Sequence, residues 1–493
     1  FATSGPGATN LVTGIATANM DSVPMVCITG QVANPYIGKD SFQEADIVGV
    51  TTPITKHNYL VKDVNDLPRV IKEAFYIAQT GRPGVVVIDV AKDVFDASID
   101  FAAPAAAALR GYSGSVLLDT DAVGRAADAL RTAERPLLFV GGGVILSDTA
   151  AYVRELLTLT GMPAVSTLMG LGGVSAGTEG YTGMAGMHGT YASNMAIQEC
   201  DLLLAVGTRF SDRVTGTAAE FAPKASIVHF DIDPAEFNKN VRTDIPVLGD
   251  LRESLPAFLE AVRSSAADLR SRVTPWRETV LTMEKKHPLG WKESAEIRPE
   301  ALLHRVREIV GADAICVTDV GQHQMWAAQF FGCTEPRRFL TSGGLGTMGY
   351  GLPAAMGAQV AWGDQRRVIH IAGDGGIKMT GNEFYTIARL GLPVISILVN
   401  NRSLGMIRQL QKVLYDERYI ACELDHEMDY VKYVECFGIK AVRVSTQEEF
   451  AAAFKNSLED RTHPRVIVMD VWRSFVEPMA KGGARIDEFV DFK

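Results

Sequence analysis

Asp374 and Asn401 are the residues whose types and spacing first suggest chemistry. Asp374 lies in Gly373-Asp374-Gly375-Gly376 and Asn401 closes Asn400-Asn401. A carboxylate and an amide oxygen are hard donors. Together with a backbone carbonyl they leave octahedral room for water and phosphate oxygens, which is how Mg2+ is usually held. A metal held this way would clamp a diphosphate. Each motif alone is ordinary, since GDG is a common turn and NN a common strand end; the joint spacing is what points to a metal. Glycines beside the acid let the chain turn tightly and let its amides approach a ligand.

The elements that must position this pair are legible around it. Val368 to Ala372 is short, apolar and β-branched, so it reads as a buried strand. Asn382 to Leu390 has helical spacing and stops at Gly391-Leu392-Pro393, and Val394 to Val399 reads as a second strand. A strand–helix–strand unit puts both donors at the edge of a parallel sheet where ligands collect.

Composition sets the frame. A chain of 493 residues accommodates three domains, and 47% hydrophobic with 22% charged residues indicates globular structure. A net charge of -10 argues against nucleic acid or an anionic membrane as partner. No apolar stretch reaches membrane-spanning length without charge or glycine interruptions. The six cysteines are scattered without a CxxC pair, which fits a reducing compartment. The chain opens at Phe1 without an initiator Met, which reads as entry in mid-domain with sequence missing upstream.

Strand and helix alternate throughout, predicting three doubly wound, mostly parallel α/β domains over residues 1–101 (incomplete), 116–265 and 297–493. Ala102 to Leu109 and Ser271 to Ser294 are expected to be connectors, and the tail from Lys481 to Lys493 a mobile lid. In the first domain Pro24 to Thr29 and Val85 to Val90 read as strands. In the middle domain Pro136 to Val140, Leu202 to Val206 and Ile227 to Phe230 are strands. The last two end in Gly207-Thr208-Arg209 and Asp231-Ile232-Asp233. Glycines and acids at strand ends suit the pyrophosphate and ribose of a dinucleotide, although GxGxxG is lacking. In the last domain Pro299 to Val310 is helical. Ala314 to Thr318 is a strand running into Gly321-Gln322-His323, a helix start whose amides face an anion.

GDG followed by NN resembles the signature of thiamine diphosphate enzymes. Ser342 to Gln359 (SGGLGTMGYGLPAAMGAQ), Asp319 to Phe330 (DVGQHQMWAAQF) and Leu404 to Gln411 (LGMIRQLQ) are similar to the catalytic subunit of the acetolactate synthase family. The resemblance covers essentially the whole chain. It implies that Asp374, Asn401 and the Ser403 carbonyl bind Mg2+. Gly321, Gln322 and His323, with Gly373, Gly375 and Gly376, would meet the diphosphate. Groups near Gly346 and Met348 would bond the aminopyrimidine, with Met348 filling the space beneath the bent cofactor. Gln31, Phe42 and Lys56 match positions near the reaction centre. GMHGTYASN, GTRFSDRVTG and HFDIDPAEF look like FAD-binding stretches, making Met187, His188, Gly207, Arg209, Asp231 and Asp233 flavin candidates, with FAD structural. Arg213 matches an arginine linked with choosing the second keto acid, which suits a guanidinium facing a carboxylate.

The implied activity decarboxylates pyruvate and passes the two-carbon unit to pyruvate or 2-ketobutyrate, towards valine, leucine and isoleucine. The implied assembly is a homodimer or homotetramer with a possible small regulatory subunit, cytoplasmic in a bacterium and organellar in a eukaryote. Two departures stand out. Ser211 replaces an acid of RFDDR, and Leu410 replaces the tryptophan of QWQ that lines the acceptor pocket. The family's activating glutamate has no counterpart here, because its position lies upstream of ATSGPGATN. Another carboligase, a 2-keto-acid decarboxylase, and a cofactor-binding but inactive fragment therefore remain open alternatives.

Overall fold

The computed structural model describes residues 1–104, 107, 109–291, 297–424 and 428–492. It divides into two compact units, Phe1–Leu117 with Gly343–Thr347, and Leu118–Ser342 with Met348–Lys493.

The first unit holds a parallel three-stranded sheet of β1 (Met25–Gln31), β2 (His57–Val61) and β3 (Val85–Ala91), in the order β1-β3-β2. Every residue of β3 is buried, because both faces are covered. Val86, Ile88 and Val90 pack with Val70, Ala74 and Ile77 of the helix Leu67–Gln79, while Val85 and Val87 pack with Ala8, Ile15 and Ile47.

The second unit carries two six-stranded parallel sheets. The central one comprises β4 (Pro136–Val140), β5 (Ala164–Ser166), β6 (Tyr181–Met184), β7 (Leu202–Val206), β8 (Ser226–Asp231) and β9 (Ile245–Leu248). Its order, β6-β5-β4-β7-β8-β9, is that of a dinucleotide-binding sheet, and the order reverses between β4 and β7. The other comprises β10 (Ile315–Thr318), β11 (Phe339–Leu340), β12 (Val368–Gly373), β13 (Ile395–Asn400), β14 (Lys440–Val444) and β15 (Arg465–Asp470). Its order is β11-β10-β12-β13-β15-β14, so the reversal falls between β10 and β12. The chain thus has three parallel-sheet α/β domains, as the alternation of strand and helix predicts.

Three expectations are corrected. Most of the second expected connector is the helix Ala266–Lys286, at 21 residues. Its buried residues Leu269, Val273, Trp276 and Val280 recur at helical spacing, and Trp276 Nε1 donates to the Pro136 carbonyl at 3.1 Å. Dense surface charge and Pro275 mask that stripe in the sequence. Residues 292–294 of this connector, and 105, 106 and 108 of the first, lie outside the described residues. The tail is docked, not free: Ile486 is buried in the central domain's core, and its carbonyl accepts from Asn194 Nδ2 at 2.7 Å. Finally, Asp374 opens the helix Asp374–Thr380 directly after β12 where a tight turn was expected.

Candidate active site

In open parallel sheets ligands collect at the carboxyl ends of the strands beside such a reversal, and Asp374 and Asn401 both stand at that edge, between β10 and β13. Asp374 follows β12 and Asn401 follows β13, which pairs with β12 in parallel register up to Gly373 and Val399. Arg402 has φ 55, which swings the chain back so that the Ser403 amide faces both donors. That one N–H donates to Asp374 Oδ2 at 3.2 Å and to Asn401 Oδ1 at 3.1 Å. A carboxylate oxygen and an amide oxygen therefore converge on one point. Both side chains are buried, and burial pushes the Asp374 carboxyl up to about 6. A carboxylate this desolvated is costly unless a cation offsets it. The donors are hard oxygens, so the residues fit Mg2+. Among the described residues no group of three His, Cys, Asp or Glu side chains gathers as a metal site. One carboxylate, one amide and a carbonyl need no such group.

The glycines here serve close approach, not turning. A Cβ on Gly375 would meet Leu404 Cδ2 at 2.6 Å and Met348 Cε at 3.1 Å, and one on Gly376 would meet Asp319 Oδ2 at 2.5 Å. The Met348 methyl thus lies against the first turn after Asp374. A Cβ on Gly373 would fall 3.0 Å from His323 Nδ1.

Gly321, Gln322 and His323 follow β10, and the helix Gln322–Phe330 begins there. The first amides of a helix have no intrahelical partners, so a helix start at this strand edge suits an anion. His323 is buried, and burial lowers it to about 4, so its ring is neutral. Its Nε2 is buried without a protein partner. In the tautomer that carries its proton on Nε2, this orphaned nitrogen can donate to a diphosphate oxygen. The Gln322 side chain turns elsewhere: its Oε1 accepts from Asn401 Nδ2 at 3.1 Å, and its Nε2 donates to Gln409 Oε1 at 2.8 Å.

Asp319 is a residue that motif reading passed over. It is fully buried at the end of β10, and burial raises its carboxyl. Its Oδ1 accepts from Val320 N at 2.6 Å and Gly349 N at 2.9 Å, anchoring the loop that carries Met348. The available signal was an acid directly after a strand at the sheet's switch point.

In the first unit, Gln31 is buried with its amide fully engaged. Its Nε2 donates to the Ala45 carbonyl at 2.7 Å and to Asp89 Oδ2 at 3.0 Å, and its Oε1 accepts from Val32 N at 2.8 Å. Lys56 Nζ caps the helix Leu67–Gln79 by donating to the carbonyls of Ile77, at 2.6 Å, and Thr80. Phe42 is 89% exposed. Glu44 accepts from the amides of Gly38, Lys39 and Ser41, which braces the loop that displays this ring. Gly346 has φ 69 and is exposed.

In the central domain, Gly207, Arg209, Asp231 and Asp233 lie at or just past the ends of β7 and β8, whose register pairs Val206 with Phe230. A Cβ on Gly141, after β4, would meet the Gly207 carbonyl at 2.1 Å, so these glycines pack backbone on backbone at the switch point. Asp231 Oδ1 accepts from Asp233 N at 2.9 Å. The Met187 amide donates to the Arg213 carbonyl at 2.8 Å, which joins the loop of Met187 and His188 to the short helix Asp212–Thr215. His188 is buried, is lowered to about 4 by burial, and has an unpartnered Nδ1. The Arg213 side chain is exposed, with Nη1 3.6 Å from Met187 Sδ. The strand order, strand-end acids and orphaned imidazole nitrogen fit a dinucleotide such as FAD.

Comparison with known proteins agrees with this geometry. Residues 1–50 match the N-terminal TPP binding domain of thiamine pyrophosphate enzymes, residues 123–258 their central domain, and residues 319–471 their C-terminal TPP binding domain. The chain is 44% identical to an acetolactate synthase of Mycobacterium leprae (strain TN), over 99% of this chain and 79% of that protein. It is 47% identical to an acetolactate synthase large subunit of Parasynechococcus marenigrum (strain WH8102), over 92% of this chain and 74% of the relative. The large subunit from Corynebacterium glutamicum is 44% identical over 98% of this chain and 78% of its own length. With these matches running through all three sheets, the chain belongs to the acetolactate synthase large-subunit family of thiamine pyrophosphate-dependent enzymes.

Proposed function

We propose that this enzyme joins the two-carbon remnant of pyruvate to a second 2-keto acid, pyruvate or 2-ketobutyrate, using Mg2+ and thiamine diphosphate. The observation that carries the reading is the convergence of Asp374 Oδ2 and Asn401 Oδ1 on the Ser403 amide at the switch-point edge. When bound, thiamine diphosphate supplies the electron sink for loss of CO2 and carries the two-carbon unit between the keto acids.

The chain's own residues bind and orient. Asp374, Asn401 and the Ser403 carbonyl hold Mg2+. The helix start at Gly321–His323 receives the diphosphate, with neutral His323 offering its orphaned Nε2. Met348, its methyl against Gly375, supplies an adaptable apolar support, and Asp319 holds that loop in place. Arg213, exposed and cationic, is assigned to the carboxylate of the second keto acid. Gln31, Phe42, Lys56 and Gly346 of the first unit are proposed to serve the same reaction. The engaged hydrogen bonds of Gln31 and Lys56 suit positioning better than direct contact. Gly207, Arg209, Asp231, Asp233, Met187 and His188 are assigned to FAD. The flavin's role is structural, since the overall reaction involves no net redox change. Oligomeric assembly, a small regulatory subunit and the route to branched-chain amino acids complete the proposal. Among the described residues no helix is long and apolar enough to cross a membrane.

The test is acetolactate formation from pyruvate by the full chain, with and without Mg2+ and thiamine diphosphate. Activity that needs both and falls at least about 100-fold in Asp374→Ala is expected, on the scale of losing a metal's charge stabilisation. Undiminished activity in that variant would overturn the assignment.

A further inference from the structure

Asn401 presents its oxygen to the Ser403 amide, and what sets that orientation lies behind it. Asn401 Nδ2 donates to Gln322 Oε1 at 3.1 Å. Gln322 Nε2 donates to Gln409 Oε1 at 2.8 Å and to the Ser474 carbonyl at 2.9 Å. Gln409 Oε1 also accepts from Val476 N at 2.9 Å, and Gln409 Nε2 donates to the Val476 carbonyl at 3.1 Å and to Met479 Sδ at 3.2 Å. Asn401, Gln322 and Gln409 are all buried.

A primary amide has one accepting and one donating end, so each member of such a row dictates the next. Here backbone groups of fixed polarity lock both ends: the Ser403 N–H at one, and the Val476 N–H and C=O at the other. Reversing any single amide would set N–H against N–H in a dry interior, where unmet donors are most costly. The helix Gly405–Leu414 braces the row with two residues one turn apart, which share a face. Gln409 supplies the hydrogen bonds, and Gly405 supplies the space, because a Cβ there would lie 2.0 Å from Gln322 Oε1.

We propose that Gln322 and Gln409 form a buried amide relay that keeps the Asn401 oxygen turned towards Mg2+. Gln409 is thereby a positioning residue for metal binding although it contacts neither metal nor cofactor. This rests on the reading of Asp374 and Asn401 as Mg2+ ligands. The relay also ties the metal site to the helix that carries Leu410. Through residues 474–480 it reaches the Met187 loop, where the Ala480 amide donates to the Met187 carbonyl at 2.7 Å.

The test is calorimetric titration of Mg2+ into the full chain at fixed thiamine diphosphate, with metal-free melting temperature measured in parallel. Gln409→Met removes the relay at similar volume and is expected to weaken Mg2+ binding about tenfold. Gln409→Glu keeps an acceptor for both Gln322 Nε2 and Val476 N, and its carboxyl, protonated in this dry interior, offers an O–H to the Val476 carbonyl, so it is expected to restore affinity to within about threefold. Should the methionine variant not fold, Gln409→Asn, whose shorter amide cannot span to Gln322, takes its place with the same expected loss. Mg2+ affinity equal to the parent's in the Met or Asn variant overturns the relay. Equal weakening in Met and Glu variants, alongside a lowered metal-free melting temperature, also overturns it, in favour of a purely structural role. Absence of Mg2+ binding by the unaltered chain would instead overturn the ligand assignment itself.

Discussion

Asp89 shows how one buried group sets a pH dependence. It lies on β3 of the first unit, almost fully buried, bonded to Thr29 Oγ1 at 2.7 Å and to Gln31 Nε2 at 3.0 Å. Burial pushes it up to about 6, outweighing those two bonds. Its folded-state value lies above the unfolded one, so its stabilising contribution is complete below the unfolded value near 4 and is lost as pH rises through about 6. The parent is therefore expected to lose on the order of 2 kcal/mol between pH 4 and 7 that Asp89→Asn does not lose. Urea unfolding of both proteins at the two pH values measures the difference; parallel profiles would contradict it. A second residue-scale expectation concerns Leu410, half-buried on the helix Gly405–Leu414. A leucine where the resembled family's pattern has tryptophan is expected to leave more space for the second keto acid. Leu410→Trp is expected to alter the ratio of 2-ketobutyrate to pyruvate used as acceptor by about 10-fold or more, within the range that apolar pocket changes produce. Competition between the two acceptors reads that ratio directly.

At the scale of elements, the helix Ala266–Lys286 fastens the central sheet from outside. Trp276 and Val280 enter the core with Leu137, Phe139 and Leu203, while Leu269 and Val273 join the cluster on the sheet's other side. Trp276→Ala removes a large buried side chain and leaves the Pro136 carbonyl without its 3.1 Å donor. A loss of about 3–5 kcal/mol is expected. Because the same sheet carries the proposed flavin residues, release of FAD at lower temperature should accompany it. Flavin fluorescence during a thermal ramp records both. Packing of the helix also explains why its pattern is hard to read. Its buried stripe is four residues, most of the other positions are charged or polar, and Pro275 sits within it. Only the facing sheet reveals which positions matter.

Across the whole molecule, ligand binding and stability are one measurement. Mg2+ with thiamine diphosphate at about 100 times Kd stabilises the state that binds them by about 2.7 kcal/mol. Scanning calorimetry of the full chain should show an upward-shifted transition on adding both, and no shift in Asp374→Asn. A shift that survives this substitution would place the cofactor's charge elsewhere.

Strand positions were readable because strands covered on both faces must be continuously apolar. Pro136–Val140 and Leu202–Val206 are bounded in the structure as composition and punctuation predict. The carboxylate of Asp374 and the amide of Asn401 were legible as hard donors too, and it was their joint spacing that pointed to a metal. What the chain alone leaves undecided is which strand lies beside which. The reversals between β4 and β7 and between β10 and β12 are tertiary facts, and they decide at which strand ends ligands collect. The same holds for Asp319, Gln322 and Gln409, whose partners lie at Gly349, Asn401 and Val476. The reason is physical. Periodicity and propensity act over one or two turns of chain, whereas a buried carboxylate or amide takes its meaning from the donor opposite it, and only the folded sheet brings that donor near.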